Sequence, residues 1–392
     1  MEKPVIGYCV RGQSVALISD PDAIKTILCS GEQAFPKWLP IYRNSARLTG
    51  ADSILAAQGD QWSRLRTALN LLFAPSRADL LLRNAGAAAA VSGDCAGVQD
   101  VFAICNRIAI DVMWRTILGA DETSVTDPQM QAISDRMVSA LQRKDLATAA
   151  YNIRDLAQTI STRPPGPAMP QDHPFRHLTL EGGENTTGLS DAEIWDNLVS
   201  LIYAGQETTS LVLSWALWIL GQDPDLQAEI WREIMAVPAD QVFSRSGMAR
   251  LGVLNCVVKE TMRLLPPAIV TVRTNTSTFV VADQNLSPGT IVVASLYALH
   301  RSTNLWRDRN IFRPARFQPD SPEPVLPMAF IPFTSGRHIC IAAKSSIPEI
   351  MAILAAILRD RHLVTQGATE VSLYTHLVMR PTQPLLVAFT AA

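Results

Sequence analysis

Apolar side chains recur at helical spacing along most of the chain. They predict long helices over four stretches, residues 100–118, 190–220, 251–265 and 342–358. Runs rich in β-branched and aromatic residues are short, as expected of strands, and lie at residues 5–10, 14–18, 278–282, 290–294 and 385–389. Because helices predominate and do not alternate with strands, the sequence predicts a mainly α protein with a small β portion.

Helix-end signals support the longest of these helices. Ser190 and Glu193 have the spacing of a capping box, in which each side chain accepts a hydrogen bond from the other residue's backbone N–H. Gly221 is typical of a helix end. Pro348 lies inside the last predicted helix, where it predicts a kink or a late start.

The composition limits the classes of function. The 392 residues include 34 Lys and Arg against 36 Asp and Glu, and a net charge of −2 argues against a nucleic-acid-binding surface. Hydrophobic residues make up 48%, but the charge-free runs 208–222 and 284–300 are shorter than the roughly 20 residues that a membrane-spanning helix needs. The N-terminus lacks the apolar core of a signal peptide. We therefore expect no membrane span and a cytoplasmic location.

One cysteine stands out among six that are scattered singly along the chain. Cys340 follows Phe333, Gly336 and His338 in a short segment, and a helix is predicted directly after it. At a helix N-terminus the free N–H groups and the helix dipole stabilise a thiolate. From these residues alone, Cys340 is either a reactive thiolate or an ordinary structural cysteine.

A second unusual segment lies in the middle of the helix predicted over residues 190–220. Gly205 costs a helix about 0.5–1 kcal/mol relative to alanine, and the Glu207 carboxylate is costly if it is buried without a partner. The Thr208 hydroxyl can bond to the Ala204 carbonyl and open the helix locally. Such departures from helix rules are typical of a functional site, with a kinked core helix as the alternative.

Both segments resemble motifs of one family, the cytochromes P450, and further motifs follow in the family's order. The chain is identified as a member of the soluble, bacterial type. The resemblance implies the P450 fold as a single domain over residues 1–392, with haem b between the long central helix and the helix after the cysteine. It also implies that Cys340 is the axial thiolate ligand of the haem iron.

The resemblance implies roles for residues around that haem. Those implied to contact the cofactor or to shape its site are Trp62, Arg66, Ala204, Gly205, Arg273, Phe333, Gly336 and His338. Among them, Ala204 and Gly205 would leave room for dioxygen, while the aromatic and basic side chains match the family's partners of the haem carboxylates. Glu207 and Thr208 are implied to relay protons to the bound oxygen.

A structural triad and one departure complete the resemblance. Glu260 and Arg263 lie three residues apart on a predicted helix, and Arg316 is implied to join them in a buried Glu–Arg–Arg network that locks the loop before the cysteine. Ala342 stands where the family usually has glycine. Its methyl group is expected to alter the approach of the following helix to the haem.

The substrate pocket is predicted from apolar residues near the expected haem. The residues assigned to its walls are Ile202, Ala268, Ile269, Val270 and Val378. Because these side chains are apolar, we expect a hydrophobic substrate. The N-terminal arm and the lid segment between residues 119 and 190 are short for the family, and this predicts a more open pocket.

The resemblance implies a haem-thiolate monooxygenase that inserts one oxygen atom from O2 into a hydrophobic small molecule. No dinucleotide-binding motif is present, so electrons are expected from a separate ferredoxin or flavodoxin, docked on a basic patch of Arg64, Arg77, Arg337 and Lys344. Two alternatives stay open, namely a peroxide-driven or rearranging haem-thiolate enzyme and a non-catalytic haem sensor or carrier. An intact Glu207–Thr208 pair argues against the first, because such enzymes need no proton relay.

Overall fold

The computed structural model describes two long stretches of the chain. These are residues 4–118, except 39, 43–45, 47–48 and 93–95, and residues 189–392, except 282–283, 369 and 376–377. Between them, residues 132, 136, 148, 151 and 155 are also described. The lid predicted to be short lies almost wholly outside the described residues.

Helices make up most of the described structure. They are α1 (Pro21–Cys29), α2 (Gly59–Leu69), α3 (Ala78–Ser92), α4 (Val101–Met113), α5 (Asp191–Leu220), α6 (Pro224–Met235), α7 (Arg245–Met248), α8 (Gly252–Leu264), α9 (Leu296–Leu299) and α10 (Ser346–Asp360). The mainly α class is confirmed. Among the described residues, no helix is both long enough and apolar enough to cross a membrane.

Strands form small sheets at the edges of the helical body. They are β1 (Val5–Val10), β2 (Gln13–Ile18), β3 (Gly97–Asp100), β4 (Val270–Thr274), β5 (Phe279–Val281), β6 (Gln284–Leu286), β7 (Ile291–Ser295), β8 (Arg361–Thr365), β9 (Leu373–Thr375), β10 (Met379–Pro381) and β11 (Leu386–Ala391). One sheet has the order β1-β2-β7-β4, in which β2 and β7 are parallel. A second has the order β3-β11-β8, and β9 pairs with β10.

The long central helix α5 begins with the predicted capping box. Glu193 donates its backbone N–H to the Ser190 hydroxyl at 3.2 Å, and Ser190 donates its N–H to the Glu193 carboxylate at 2.9 Å. The helix ends at the predicted position, with Gly221 as its C-cap. Its apolar faces lie in the main hydrophobic core together with residues of α3, α4, α8 and α10. This arrangement places the 204–208 segment of α5 deep in the molecule.

Two of the predicted helix starts differ from the structure for clear physical reasons. Asp100 is the last residue of β3 and caps α4 by accepting the Phe102 N–H at 3.1 Å, so the helix starts one residue later than predicted. The helix predicted from residue 342 begins at Ser346. Pro348 then lies in the first turn, where a missing N–H removes no intrahelical bond, and the predicted late start is confirmed.

Candidate functional site

A cavity of about 320 Å³ is lined by one face of α5 and by the loop that precedes α10. The α5 residues at the cavity are spaced at helical intervals and include Ser200, Ala204, Gly205, Thr208 and Val212. The loop contributes residues 332–334 and 338–342, with Cys340 among them. The structure therefore brings the two unusual sequence segments together, although Thr208 and Cys340 are 132 residues apart along the chain.

The loop before α10 holds Cys340 in a tight turn. The Cys340 N–H donates to the Phe333 carbonyl at 3.0 Å, and the backbone of Gly336 has a φ of 74°. Burial raises the pKa of the Cys340 thiol, whereas a hydrogen bond from the Ala342 N–H and the charge of Arg66 act in the opposite direction. Both of these opposing groups favour the thiolate form that a metal binds.

Gly336 does not line the cavity, and its role is to allow the tight turn of the cysteine loop. A Cβ atom built there would overlap the carbonyl oxygen of Leu28, at the end of α1. Its positive φ is also one that residues with a side chain rarely adopt. Gly336 thus lets the cysteine loop pass directly over α1.

Replacing Gly336 with alanine is expected to destabilise the protein beyond the backbone strain alone. Gly12 provides the matched control, because its φ is 80° and a Cβ there would meet nothing within 4 Å. Gly12→Ala should cost about 1–2 kcal/mol, the usual penalty of a left-handed conformation. Gly336→Ala should cost more in urea unfolding, since its Cβ must also displace the backbone of α1, and equal losses would contradict this role.

Four cationic or ionisable side chains surround the cavity next to Cys340. Arg66 donates to the Ile339 carbonyl at 2.6 Å, and Arg273 donates to the Tyr42 hydroxyl at 3.2 Å. The Lys37 ammonium lies within 3.2 Å of three backbone carbonyls that precede α2. All three side chains line the cavity with His338, so positive charge is concentrated there.

The His338 side chain lies largely buried among these positive charges. Neither ring nitrogen has a hydrogen-bond partner among the described residues, and both are buried. Burial, and then the charges of Lys37, Arg273, Arg337 and Arg66, lower the pKa of His338 to about 3. One carboxylate, that of Glu32, lies 3.8 Å from the His338 Nε2, which is beyond hydrogen-bond distance. The buried imidazole is therefore suited to an anionic ligand that comes closer and accepts its N–H.

Trp62 lies directly against this histidine. The two ring centroids are 4.4 Å apart in an edge arrangement, and the Trp62 side chain is buried. Since Trp62 and Arg66 are one turn apart on α2, the same helix face presents both to the cavity, as their spacing predicts.

Three residues of the 204–208 segment, Ala204, Gly205 and Thr208, line the cavity, and α5 continues as an unbroken helix through them. The Thr208 hydroxyl donates to the Ala204 carbonyl at 2.8 Å, which confirms the predicted bond within the helix. A Cβ built at Gly205 would overlap the sulfur of Met113 in α4. The Met113 thioether therefore fills the space beside Gly205, and it also lines the cavity.

Glu207 is placed differently from its predicted neighbour Thr208. It does not line the cavity, and its carboxylate is bound by Arg380 of β10, whose Nε donates at 2.6 Å. A second donor of the same guanidinium, Nη2, also bonds to this carboxylate. No motif in the sequence marks Arg380, which is 173 residues away along the chain.

Only one of the predicted pocket residues lines the cavity. Ala268 does so, with Pro267 and Thr271, whereas four others do not: Ile202, Ile269, Val270 and Val378. Ile202 lies on α5 just beyond the edge of the cavity face, about 20° around the helix from Thr209, and packs in the main hydrophobic core. On β4, side chains alternate, so Thr271 and Arg273 face the cavity while Val270 packs with Val272 in a small separate cluster.

The predicted triad is present and fully buried. Arg263 donates to both Glu260 oxygens at 2.7 and 2.8 Å, and Arg316 donates to one of them at 3.0 Å. The two guanidiniums also bind backbone carbonyls of residues 300, 307–309 and 311. The network therefore fastens the long segment that leads to the cysteine loop.

Two further polar side chains at the cavity were not predicted. The Ser200 hydroxyl is fully buried and has no partner among the described residues. Glu349 lies on α10, and its burial raises its pKa to about 7. Neither residue belongs to a recognisable pattern, because each is defined only by the cavity that it faces.

The predicted basic patch is partly occupied by internal contacts. Arg64 pairs with the Glu193 carboxylate and holds its pKa at about 2, and Arg337 donates to the Gly59 carbonyl at 3.4 Å. Lys344 is exposed on the turn before α10. The ion pair offsets the charge of Arg64, whereas the bond to a neutral carbonyl leaves the charge of the exposed Arg337 available to a partner.

A cytochrome P450 family model matches residues 159–389, more than half of the chain. The chain belongs to the cytochrome P450 family, whose cofactor is haem. The cysteine thiol, the apolar face of α5 and the cationic groups around His338 fit that cofactor, which combines an iron, a flat apolar ring and two carboxylates.

Individual relatives agree with this assignment. Rat cytochrome P450 4V2 is 32% identical over 228 residues, which cover 56% of this chain and 42% of the relative. A putative cytochrome P450 139 of Mycobacterium bovis is 33% identical over 230 residues, or 58% of this chain and 53% of the relative. The chain thus matches about half the length of these curated relatives.

A solved structure shows the same fold along nearly the whole chain. The cyanobacterial CYP120A1, determined with retinoic acid bound, superposes with a TM-score of 0.83. The match covers 99% of this chain and 92% of the other at 19% identity. The predicted P450 fold is confirmed.

Proposed function

We propose that this protein is a haem-thiolate monooxygenase that inserts one oxygen atom from O2 into a hydrophobic small molecule. The observation that carries the proposal is that Cys340 and Thr208 line one cavity together with Lys37, Arg66, Arg273 and His338, a cluster rich in basic groups in which Glu32 is an acidic neighbour of His338. When bound, haem supplies the binding and reductive activation of dioxygen.

The chain's own residues then have separate tasks. Cys340 provides the thiolate for the iron, and Arg66, Arg273, His338 and Lys37 provide donors for the two carboxylates of the cofactor. Burial and the charge of Arg273 lower the pKa of Lys37 to about 8. An anion bound next to the Lys37 ammonium would offset the free-energy cost of burying that charge. The Thr208 hydroxyl offers a proton donor at the cavity wall.

The substrate we infer is mainly apolar and carries one hydrogen-bonding group. Apolar side chains such as Leu201, Val212 and Phe73 form much of the wall. The buried Ser200 hydroxyl lies two helical turns from Thr208, about 12 Å along the helix axis, and lacks a partner. A polar group on the substrate would satisfy it, while the oxidised carbon lies nearer Thr208.

The test is turnover with a reductant, a ferredoxin or flavodoxin system and labelled dioxygen. A monooxygenase places one labelled atom in the product, whereas a peroxide-driven enzyme turns over with peroxide alone and a sensor gives no product. Substrates are first selected by the spin-state change that they cause on binding. Paired compounds with and without the polar group should differ about fivefold to tenfold in binding, and equal binding would contradict the role of Ser200.

Electron supply and location follow from the same proposal. Electrons come from a separate ferredoxin-type or flavodoxin-type partner, because no nucleotide-binding motif accompanies the site. The exposed Lys344, close in sequence to Cys340, supports docking on this side. We place the enzyme in the cytoplasm, since the described chain offers no spanning helix.

A further inference from the structure

The contact between Glu207 and Arg380 connects α5 to the C-terminal hairpin of β9 and β10. The Glu207 side chain is 10% exposed and the Arg380 side chain is 28% exposed, so the pair lies between the interior and solvent. Tyr203, one turn earlier on α5, is the other ionisable group that interacts with both. Arg380 therefore holds the Glu207 carboxylate at a position where it does not line the cavity.

Arg380 is itself fastened to the wall of the cavity through its chain neighbours. The Met379 N–H donates to the Pro267 carbonyl at 3.1 Å, and Val378 forms a β-bridge with Ala268. Pro267 and Ala268 both line the cavity. Three consecutive residues of the hairpin thus link the pocket wall to the guanidinium that binds Glu207.

We propose that Arg380 is a positioning residue that keeps Glu207 from delivering protons until substrate fills the pocket. A substrate seated against Pro267 and Ala268 shifts the hairpin and loosens the ion pair. The released Glu207 carboxylate takes a proton from solvent, turns toward the Thr208 side of α5 and passes that proton to the Thr208 hydroxyl, which would give its own proton to the oxygen site. Glu207 is then a carboxylate again, and the electrons come from the redox partner of the proposed function. This inference rests on the proposed monooxygenase function.

The physical basis is the preference of the carboxylate for its strongest partner. Two donors of one guanidinium at a partly buried site bind a carboxylate more strongly than a hydroxyl or water does. While that pair is intact, turning the carboxylate away from the guanidinium costs free energy. Coupling the pair to the pocket wall makes proton delivery depend on an occupied pocket, which limits the release of reduced oxygen species.

The test compares Arg380→Gln with the wild-type holoenzyme in the absence and presence of substrate. Without the ion pair, substrate-free oxygen consumption should rise about fivefold or more, and a smaller share of electrons should appear in product. Arg380→Lys keeps the charge but loses the paired donors, so it should lie between the two. A crystal structure of Arg380→Gln should show the Glu207 carboxylate turned toward the cavity.

A double-mutant cycle isolates the interaction from general damage to the fold. In a Glu207→Gln background, adding Arg380→Gln should change nothing further, because the group that it controls is already gone. Arg245→Gln, which removes an exposed ion pair with Asp79, is the control and should leave oxygen consumption unchanged.

Two outcomes would overturn the inference. One is substrate-free oxygen consumption in Arg380→Gln that equals the wild type, and the other is an effect that persists in the Glu207→Gln background. If the wild type itself gives no labelled product from dioxygen, the proposed function fails instead, so the two failures are distinguishable.

Discussion

Cys340→Ser is expected to abolish the absorption band that thiolate-bound haem gives in its reduced carbon monoxide complex. Serine retains the size of the side chain, but its hydroxyl is a poor ligand for haem iron and donates much less electron density than a thiolate. Because that density drives cleavage of the O–O bond, oxygenation of substrate should be lost with the band. The reduced carbon monoxide difference spectrum of the purified variant measures the first effect directly.

Cys29→Ser is the matched control for this substitution. Cys29 is also a free, exposed cysteine, and its sulfur lies 3.9 Å from the Ser335 hydroxyl in the same loop. It does not line the cavity, so its replacement should leave the band intact. A normal band in Cys340→Ser, or a lost band in Cys29→Ser, would refute Cys340 as the iron ligand.

Glu260→Gln is expected to produce the largest loss of stability. The carboxylate neutralises Arg263 and Arg316 in a site with 0–2% side-chain exposure. A neutral amide leaves the buried Arg263 without its counter-charge and leaves Arg316 with only Glu323, at 3.8 Å. Breaking such a buried network costs about 3–5 kcal/mol. Since domains are stable by only about 5–15 kcal/mol, much of the protein should unfold in mild urea and retain little haem.

Glu323→Gln shows how much of this effect is due to burial. Glu323 also contacts Arg313 and Arg316, but its side chain is 33% exposed. Its removal should cost less than about 1 kcal/mol, because solvent screens the charges. Equal urea midpoints for the two variants would show that the Glu260 network does not stabilise the loop.

The sequence predicted features whose signals are local. The capping box of α5, the bond from Thr208 to Ala204 and the Glu260–Arg263 pair each join residues three or four positions apart. Spacing alone is sufficient for such contacts, because helix geometry fixes which side chains meet. The order of the family motifs also assigned Cys340 to the loop before α10. It did not predict which residues lie across the cavity from the cysteine.

The sequence could not predict contacts between distant elements. Arg380 meets Glu207 because β10 pairs with β9 and because Val378, just before β10, bridges to Ala268, two residues before β4. No local pattern encodes this arrangement. The pocket prediction was wrong at Val270 for a related reason. An apolar residue beside the site was assigned to the pocket, but strand alternation turns it toward a cluster on the other side.

The Met113 sulfur beside Gly205 bears on how long such an enzyme can work. A thioether is readily oxidised to a sulfoxide, which is larger and polar, and this one lies in the wall of a cavity suited to oxygen chemistry. On the Gly205 side the sulfur already fills the space that a Cβ would take, so the added oxygen atom would extend into the cavity. Under the proposed function, peroxide formed in an unproductive cycle would therefore threaten the shape of the pocket. The proposed control of Glu207 would then protect the lifetime of the catalyst as well as its yield.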